Sequence, residues 1–166
     1  VLDGDVWRSH KRMIAPCFRR QAIADVCSEM VRSNLELAET WACAAETGES
    51  IDLTSDMNEL SLRIILRCLL GDDFDALMDE DGRHPFSIFS EDLARDLKLV
   101  ARFRGLTGVL RDIIEARRRA GRDAGDFLGQ MMASRDEDGQ PMSDAELIDE
   151  TMTLIVAGHE TGANTL

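Results

Sequence analysis

Apolar residues recur at three- and four-residue intervals along most of the chain, and short apolar–polar alternation is nearly absent, so the pattern predicts a mainly α-helical protein. Asp5 to Ala15 reads as a short helix stopped by Pro16. Residues 20–46 carry Ile23, Val26, Cys27, Met30, Val31, Leu35, Ala38 and Trp41 on a helical stripe that ends at Thr47-Gly48-Glu49. Ser50-Ile51-Asp52-Leu53-Thr54 alternates and is compatible with a small strand. Ser55 is then placed to cap a helix bearing Met57, Leu60, Ile64, Ile65 and Cys68, closed by Gly71. Residues 72–85 read as loop, with Asp81-Gly82 as the turn signal. A helical stretch follows from about Phe86 to Ala120, with Gly105 and Gly108 as potential division points and three arginines at its end. A short helix is expected at Phe127 to Ala133. The last helix has the clearest start: Ser143 and Glu146 form a capping box, and Met142 and Leu147 stand where a hydrophobic staple needs them. The expectation is therefore about six helices with at most a short strand.

Length and composition narrow the class. The chain has 166 residues, 44% hydrophobic and 31% charged, the profile of a folded globular protein. No run approaches the ~20 apolar residues of a membrane helix. The sequence opens on Val1, and its last helix reaches Leu166 without a stop signal, so residues 1–166 read as an internal part of one larger domain. Cys17, Cys27, Cys43 and Cys68 form no C-x-x-C pair; reduced, buried thiols in a cytoplasmic protein are the expectation. A net charge of −13 excludes a general nucleic-acid binder. Residues 1–20 run against that balance, with Arg8, Lys11, Arg12, Arg19 and Arg20 facing only Asp3 and Asp5. Such a patch either steers an acidic partner or is simply a solvated helix face.

Two clusters carry candidate chemistry. In Ala157-Gly158-His159-Glu160-Thr161, Ala157 and Thr161 share a helix face and Gly158 overlaps it. Small residues beside a hydroxyl leave a notch with room for a flat ligand; the same notch also suits a helix–helix crossing. Thr161 is placed to return its hydroxyl to the Ala157 carbonyl. Glu160 has the chemistry of a proton relay. The H-E-x-x-H zinc helix is excluded, because residue 163 is Ala. Trp7 and Lys11, four apart on the first helix, offer two donors in one direction, which fits a carboxylate; alternatively Trp7 anchors a core with Lys11 lying beside it.

Together the two clusters resemble the cytochrome P-450 family. Residues 157–161 match its oxygen-activation pattern A/G-G-x-D/E-T, within the wider run Thr153 to Thr161. Trp7 to Arg12, followed by Pro16 and Phe18, is similar to the family's W-x-x-x-R helix and downstream P-x-F. The resemblance implies a partial cytochrome P-450 fold without the N-terminal sheet and the haem-thiolate loop. It implies that Trp7 and Lys11 donate to a haem propionate and that Ala157 and Gly158 lie against the distal haem face. Thr161 would hydrogen-bond dioxygen or its water, and Glu160 would serve the proton relay. No metal ligand lies in the chain, since the axial Cys belongs to the loop. An apolar organic substrate and O2 are implied. So are electrons from NAD(P)H through a redox partner, a ferredoxin or flavin reductase, docking on a basic face that includes Arg8 and Arg12. The parent would be a monooxygenase and the isolated chain inactive. Three departures stand out: Lys11 replaces the more usual Arg, residue 162 is Gly where many members have Thr, and the span from Gly71 to Arg119 is short for two lid helices. Arg-rich, Lys-poor usage points to a bacterial, cytoplasmic source. The rival class is a non-catalytic helical binding module built on the same notch.

Overall fold

The computed structural model describes residues 4–90, 99–122 and 124–165, apart from the side chains at 5, 6, 99–102 and 160. Helix α1 (Gly4–Ile14) passes into a 3-10 turn at Ala15–Phe18, where Pro16 ends the α-helical hydrogen bonding. The stripe expected as one helix is split in two, α2 (Arg20–Asp25) and α3 (Cys27–Thr47). The break is at Val26, whose side chain is buried in the core and whose carbonyl accepts from both Glu29 and Met30. Gly48, at φ 74°, closes α3 in the left-handed conformation that suits glycine.

Helix α4 (Leu53–Leu70) starts earlier than its expected cap. Asp52, not Ser55, is the N-cap, and its carboxylate accepts from the Ser55 backbone N–H at 3.0 Å. The alternation at 50–54 is therefore the approach to a helix, and no strand forms among the described residues. After the short α5 (Asp72–Asp75) and a 3-10 turn at Pro85–Phe89 comes α6 (Leu99–Ala120), continuous through Gly105 and Gly108. Residues 91–98 of the expected helical stretch lie outside the described residues. Helix α7 (Phe127–Ala133) and α8 (Asp144–Ala163) fall where periodicity places them. The α8 capping box is formed: Glu146 accepts from the Ser143 N–H at 2.7 Å, and Ser143 Oγ accepts from the Glu146 N–H at 3.3 Å.

Helix α4 lies at the centre. It packs along α8 on one side and α3 on another, and α6 and α7 close over α8. Leu62, Leu66, Leu69 and Leu70 of α4 meet Leu147 and Ile155 of α8, Leu110 and Ile114 of α6, and Leu128 and Met131 of α7, all fully buried. Each such side chain contributes roughly 1.5–3 kcal/mol by leaving water. Two buried arginines tie the helix ends. Arg117 of α6 meets both Asp126 oxygens at 2.7 Å, Asp73 at 2.6 Å and the Leu70 carbonyl at 2.8 Å. Arg67 of α4 reaches both Glu36 oxygens of α3, at 2.8 and 3.0 Å, and Ser33 Oγ at 2.8 Å. Buried charges satisfied this completely join elements instead of breaking the core.

Candidate functional site

Helix α8 has three faces with three tasks. Leu147, Ile148, Thr151 and Ile155 point into the core. Gly158 and Gly162 face α4, and they do so closely. A Cβ at Gly158 would stand 3.1 Å from Ile65 Cδ1, and one at Gly162 only 2.6 Å from Ser61 Oγ. Ser61 Oγ also donates to the His159 carbonyl at 2.9 Å, so α4 grips the α8 backbone at the crossing. The third face, with Thr153, Ala157 and Thr161, is exposed. The Thr161 hydroxyl donates to the Ala157 carbonyl at 2.6 Å, the back-bond expected from the spacing. The helix crossing takes up one side of the notch. Its glycines belong to the helix crossing, and Ala157 with Thr161 forms a strip of small side chains facing out. The backbone of Glu160 is helical; its side chain lies outside the described residues.

Helix α1 presents Trp7 and Lys11 outward. Trp7 is 46% exposed among the described residues, and the Lys11 ammonium sits 4.8 Å from the centre of its indole ring. No carboxylate among the described residues meets either donor. Arg12 is less free than the charge pattern suggests, because it pairs with Glu137 in the turn before α8.

The link between the two helices escaped the sequence. His10, on the inner face of α1, places Nδ1 2.8 Å from Glu150 and Nε2 3.2 Å from Glu146, both on α8. Burial alone would lower its pKa, but these carboxylates outweigh burial and raise it. Glu146 is held below the usual carboxylate range by Ser143 first, and His10 assists. The Gly158–Gly162 spacing was a readable signal of a close crossing; nothing local in the sequence announced the partners of His10 or Ser61.

The cysteines divide. Cys17 and Cys68 are buried, and burial pushes both thiols up to about 11, away from thiolate chemistry. Cys27 and Cys43, also expected to be buried, are exposed on α3. Among the described residues no group of three or more His, Cys, Asp or Glu is placed to hold a metal ion.

The sequence pattern of the family described as Cytochrome P-450 matches residues 1–166, the whole chain. The chain belongs to the cytochrome P-450 family. Among curated relatives, the cyclooctat-9-en-7-ol 5-monooxygenase of Streptomyces melanosporofaciens is 27% identical, with 100% of this chain and 39% of that protein covered. A self-sufficient cytochrome P-450 monooxygenase of Aspergillus niger is 28% identical over 96% of this chain and 16% of its own length. Cytochrome P-450 4B1 of Homo sapiens is 24% identical over 97% and 38%. The chain therefore spans about two fifths or less of the relatives it matches. Among solved structures, the cytochrome P-450DA heme domain superposes with a TM-score of 0.74 at 24% identity, covering 96% of this chain and 38% of that one. A retinoic acid-bound cyanobacterial member gives 0.69 at 22% identity, covering 95% and 37%. The fold is thus the expected partial cytochrome P-450 fold, mainly helical.

Haem follows from the family, and the described residues fit it. A cytochrome P-450 needs donors for the carboxylates of a flat group and a helix face without bulk. Trp7 and Lys11 on α1 and the small strip Ala157–Thr161 on α8 have that chemistry. No helix of the described residues is long and apolar enough to cross a membrane.

Proposed function

We propose that this chain is the part of a haem-thiolate monooxygenase that carries the propionate-binding helix and the oxygen-activating helix. The parent protein inserts one oxygen atom of O2 into an apolar organic substrate, with electrons from NAD(P)H delivered by a redox partner. Haem, when bound, supplies the redox-active iron that activates oxygen. The chain's own residues do the rest. Trp7 and Lys11 donate to the propionates; Ala157 keeps the outward surface free of bulk, while Gly158, seated against Ile65 of α4, brings the backbone there without adding a side chain. Thr161 offers hydroxyl lone pairs and, by rotating away from the Ala157 carbonyl, its proton. Glu160 moves protons along the same helix. The observation that carries this reading is the outward strip of α8, a hydroxyl and a methyl backed by two glycines pressed against α4.

The axial thiolate lies outside residues 1–166 in this reading, so the isolated chain is inactive. Arg8, with the partly neutralised Arg12, forms the docking face for an acidic ferredoxin or flavin reductase, and the setting is a bacterial cytoplasm. The test is to extend the source gene past the Leu166 codon and express the product. A carbon monoxide difference spectrum of thiolate-ligated haem supports the reading, and its absence overturns it. In that holoprotein Thr161→Ala is expected to divert electrons from product to hydrogen peroxide; unchanged coupling removes the role given to Thr161.

A further inference from the structure

The contact between α1 and α8 contains a buried histidine with a carboxylate at each ring nitrogen. Neutral imidazole has one donor and one acceptor, so it can satisfy only one of two ionised carboxylates. The second contact would set a lone pair against a negative oxygen. Glu146 cannot easily supply the missing proton. Its other oxygen already accepts from the Ser143 N–H and hydroxyl, both at 2.7 Å, which keeps it ionised. Both distances, 2.8 Å to Glu150 and 3.2 Å to Glu146, are met when His10 carries both protons.

The surroundings favour the cation. The turn before α8 brings Asp136 to the same cleft, and its Glu137 is occupied by Arg12. On α6 Arg118 is taken by Asp144, and α7 carries no titratable side chain. Lys11 and Arg12 flank His10 on its own helix but face outward.

The position of this contact gives it a consequence. Trp7 is three residues from His10, on the neighbouring turn face of α1. Glu150 and Ala157 are seven residues apart, hence on one face of α8 and about 10 Å apart along its axis. We propose that His10 is a positioning residue, a cationic clamp on Glu146 and Glu150 that sets the spacing between the Trp7–Lys11 donor pair and the Ala157–Thr161 strip. Its importance for a cofactor rests on the haem reading above; the clamp itself does not.

Two measurements test it without haem. Long-range proton–nitrogen spectra read the charge of His10 directly. At pH 6.5, where an ordinary histidine is half titrated, His10 is expected to remain mainly imidazolium, and Glu150→Gln is expected to shift its titration to lower pH. A neutral tautomer at pH 6.5 overturns the proposal. Spin labels introduced by suppressor coding at the exposed positions Arg8 and Thr153 read the α1–α8 spacing. The distance distribution is expected to be narrow below the His10 titration, to broaden above it in the unaltered protein, and to be broad and pH-independent in His10→Gln. A distribution that ignores both pH and His10→Gln overturns the positioning role. If His10→Gln fails to fold, the pH series on the unaltered protein decides alone. An extended gene product that is clamped yet never takes up haem would refute the haem reading only; one with neutral His10 that binds haem would refute the clamp only.

Discussion

At the scale of single residues, the α4–α8 crossing depends on one missing methyl group. Ala in place of Gly162 gains about 1 kcal/mol in helix propensity. Against that, its Cβ meets Ser61 Oγ at 2.6 Å, and relieving such an overlap costs about 1–3 kcal/mol, including the lost bond from Ser61 to the His159 carbonyl. Gly162→Ala is therefore expected to lower the urea midpoint, Gly158→Ala to lower it less because Ile65 Cδ1 is a mobile tip, and Ser61→Ala to rescue Gly162→Ala. Equal effects at the two glycines, or no rescue, would refute the crossing as described. The features that were readable at this scale are local. Ser143 with Glu146 and Thr161 with Ala157 lie three or four residues apart, so helical periodicity alone brings them together. His10 and its glutamates are separated by 136 and 140 residues, and only the fold pairs them.

Elements are held at their ends by charge. Arg117 joins α6 to Asp126, which also caps α7 by accepting from the Gly129 N–H at 2.8 Å. Arg117→Ala strands a buried carboxylate, and by the usual cost of breaking a buried pair it should remove about 3–5 kcal/mol in chemical unfolding. Replacing both Arg117 and Asp126 by apolar residues is expected to recover part of that loss. Glu59 of α4 is similar in kind. Burial would raise its pKa, but bonds from His84 and Arg63 outweigh burial and bring it to about 2. A carboxylate lowered on folding stabilises above its ordinary value of 4.5, and that contribution is lost as pH falls towards about 2. Glu59→Gln is expected to lower stability at neutral pH and to flatten the acid limb, so that the two proteins converge as pH falls towards about 2. At this scale helix existence was legible and helix ends less so. The break at Val26 arises because a core contact, not a Gly or Pro, turns the chain. The Ser50–Thr54 alternation misled because Asp52 caps a helix where a strand had been expected.

For the molecule as a whole, the outward faces matter most. The stripe on α3 does not all enter the core: Val31 is 53% and Leu35 59% exposed, while Val26 on the same stripe is buried. Periodicity showed which residues share a face but not how much of that face a neighbour covers. The isolated chain is therefore expected to self-associate with rising concentration in sedimentation velocity. Val31→Glu with Leu35→Glu should return it towards monomer without lowering its thermal midpoint. Basic pH tests the same fold from another side. A histidine raised on folding contributes its full stability below 6.5 and loses it as pH rises through the folded value, so unfolding should become easier on the alkaline side unless His10 is replaced.

The four thiols supply a further handle. Cys27 and Cys43 are open to an alkylating reagent, while Cys17, beside α7, and Cys68, within α4, react only when their surroundings open. The slow pair acts as two clocks in one molecule, one set near the α1 end and the other in the central helix. If Cys17 is modified well before Cys68, the α1 end detaches in excursions that leave the α4–α8 crossing closed. If both are modified at one rate, the protein opens as a single cooperative unit.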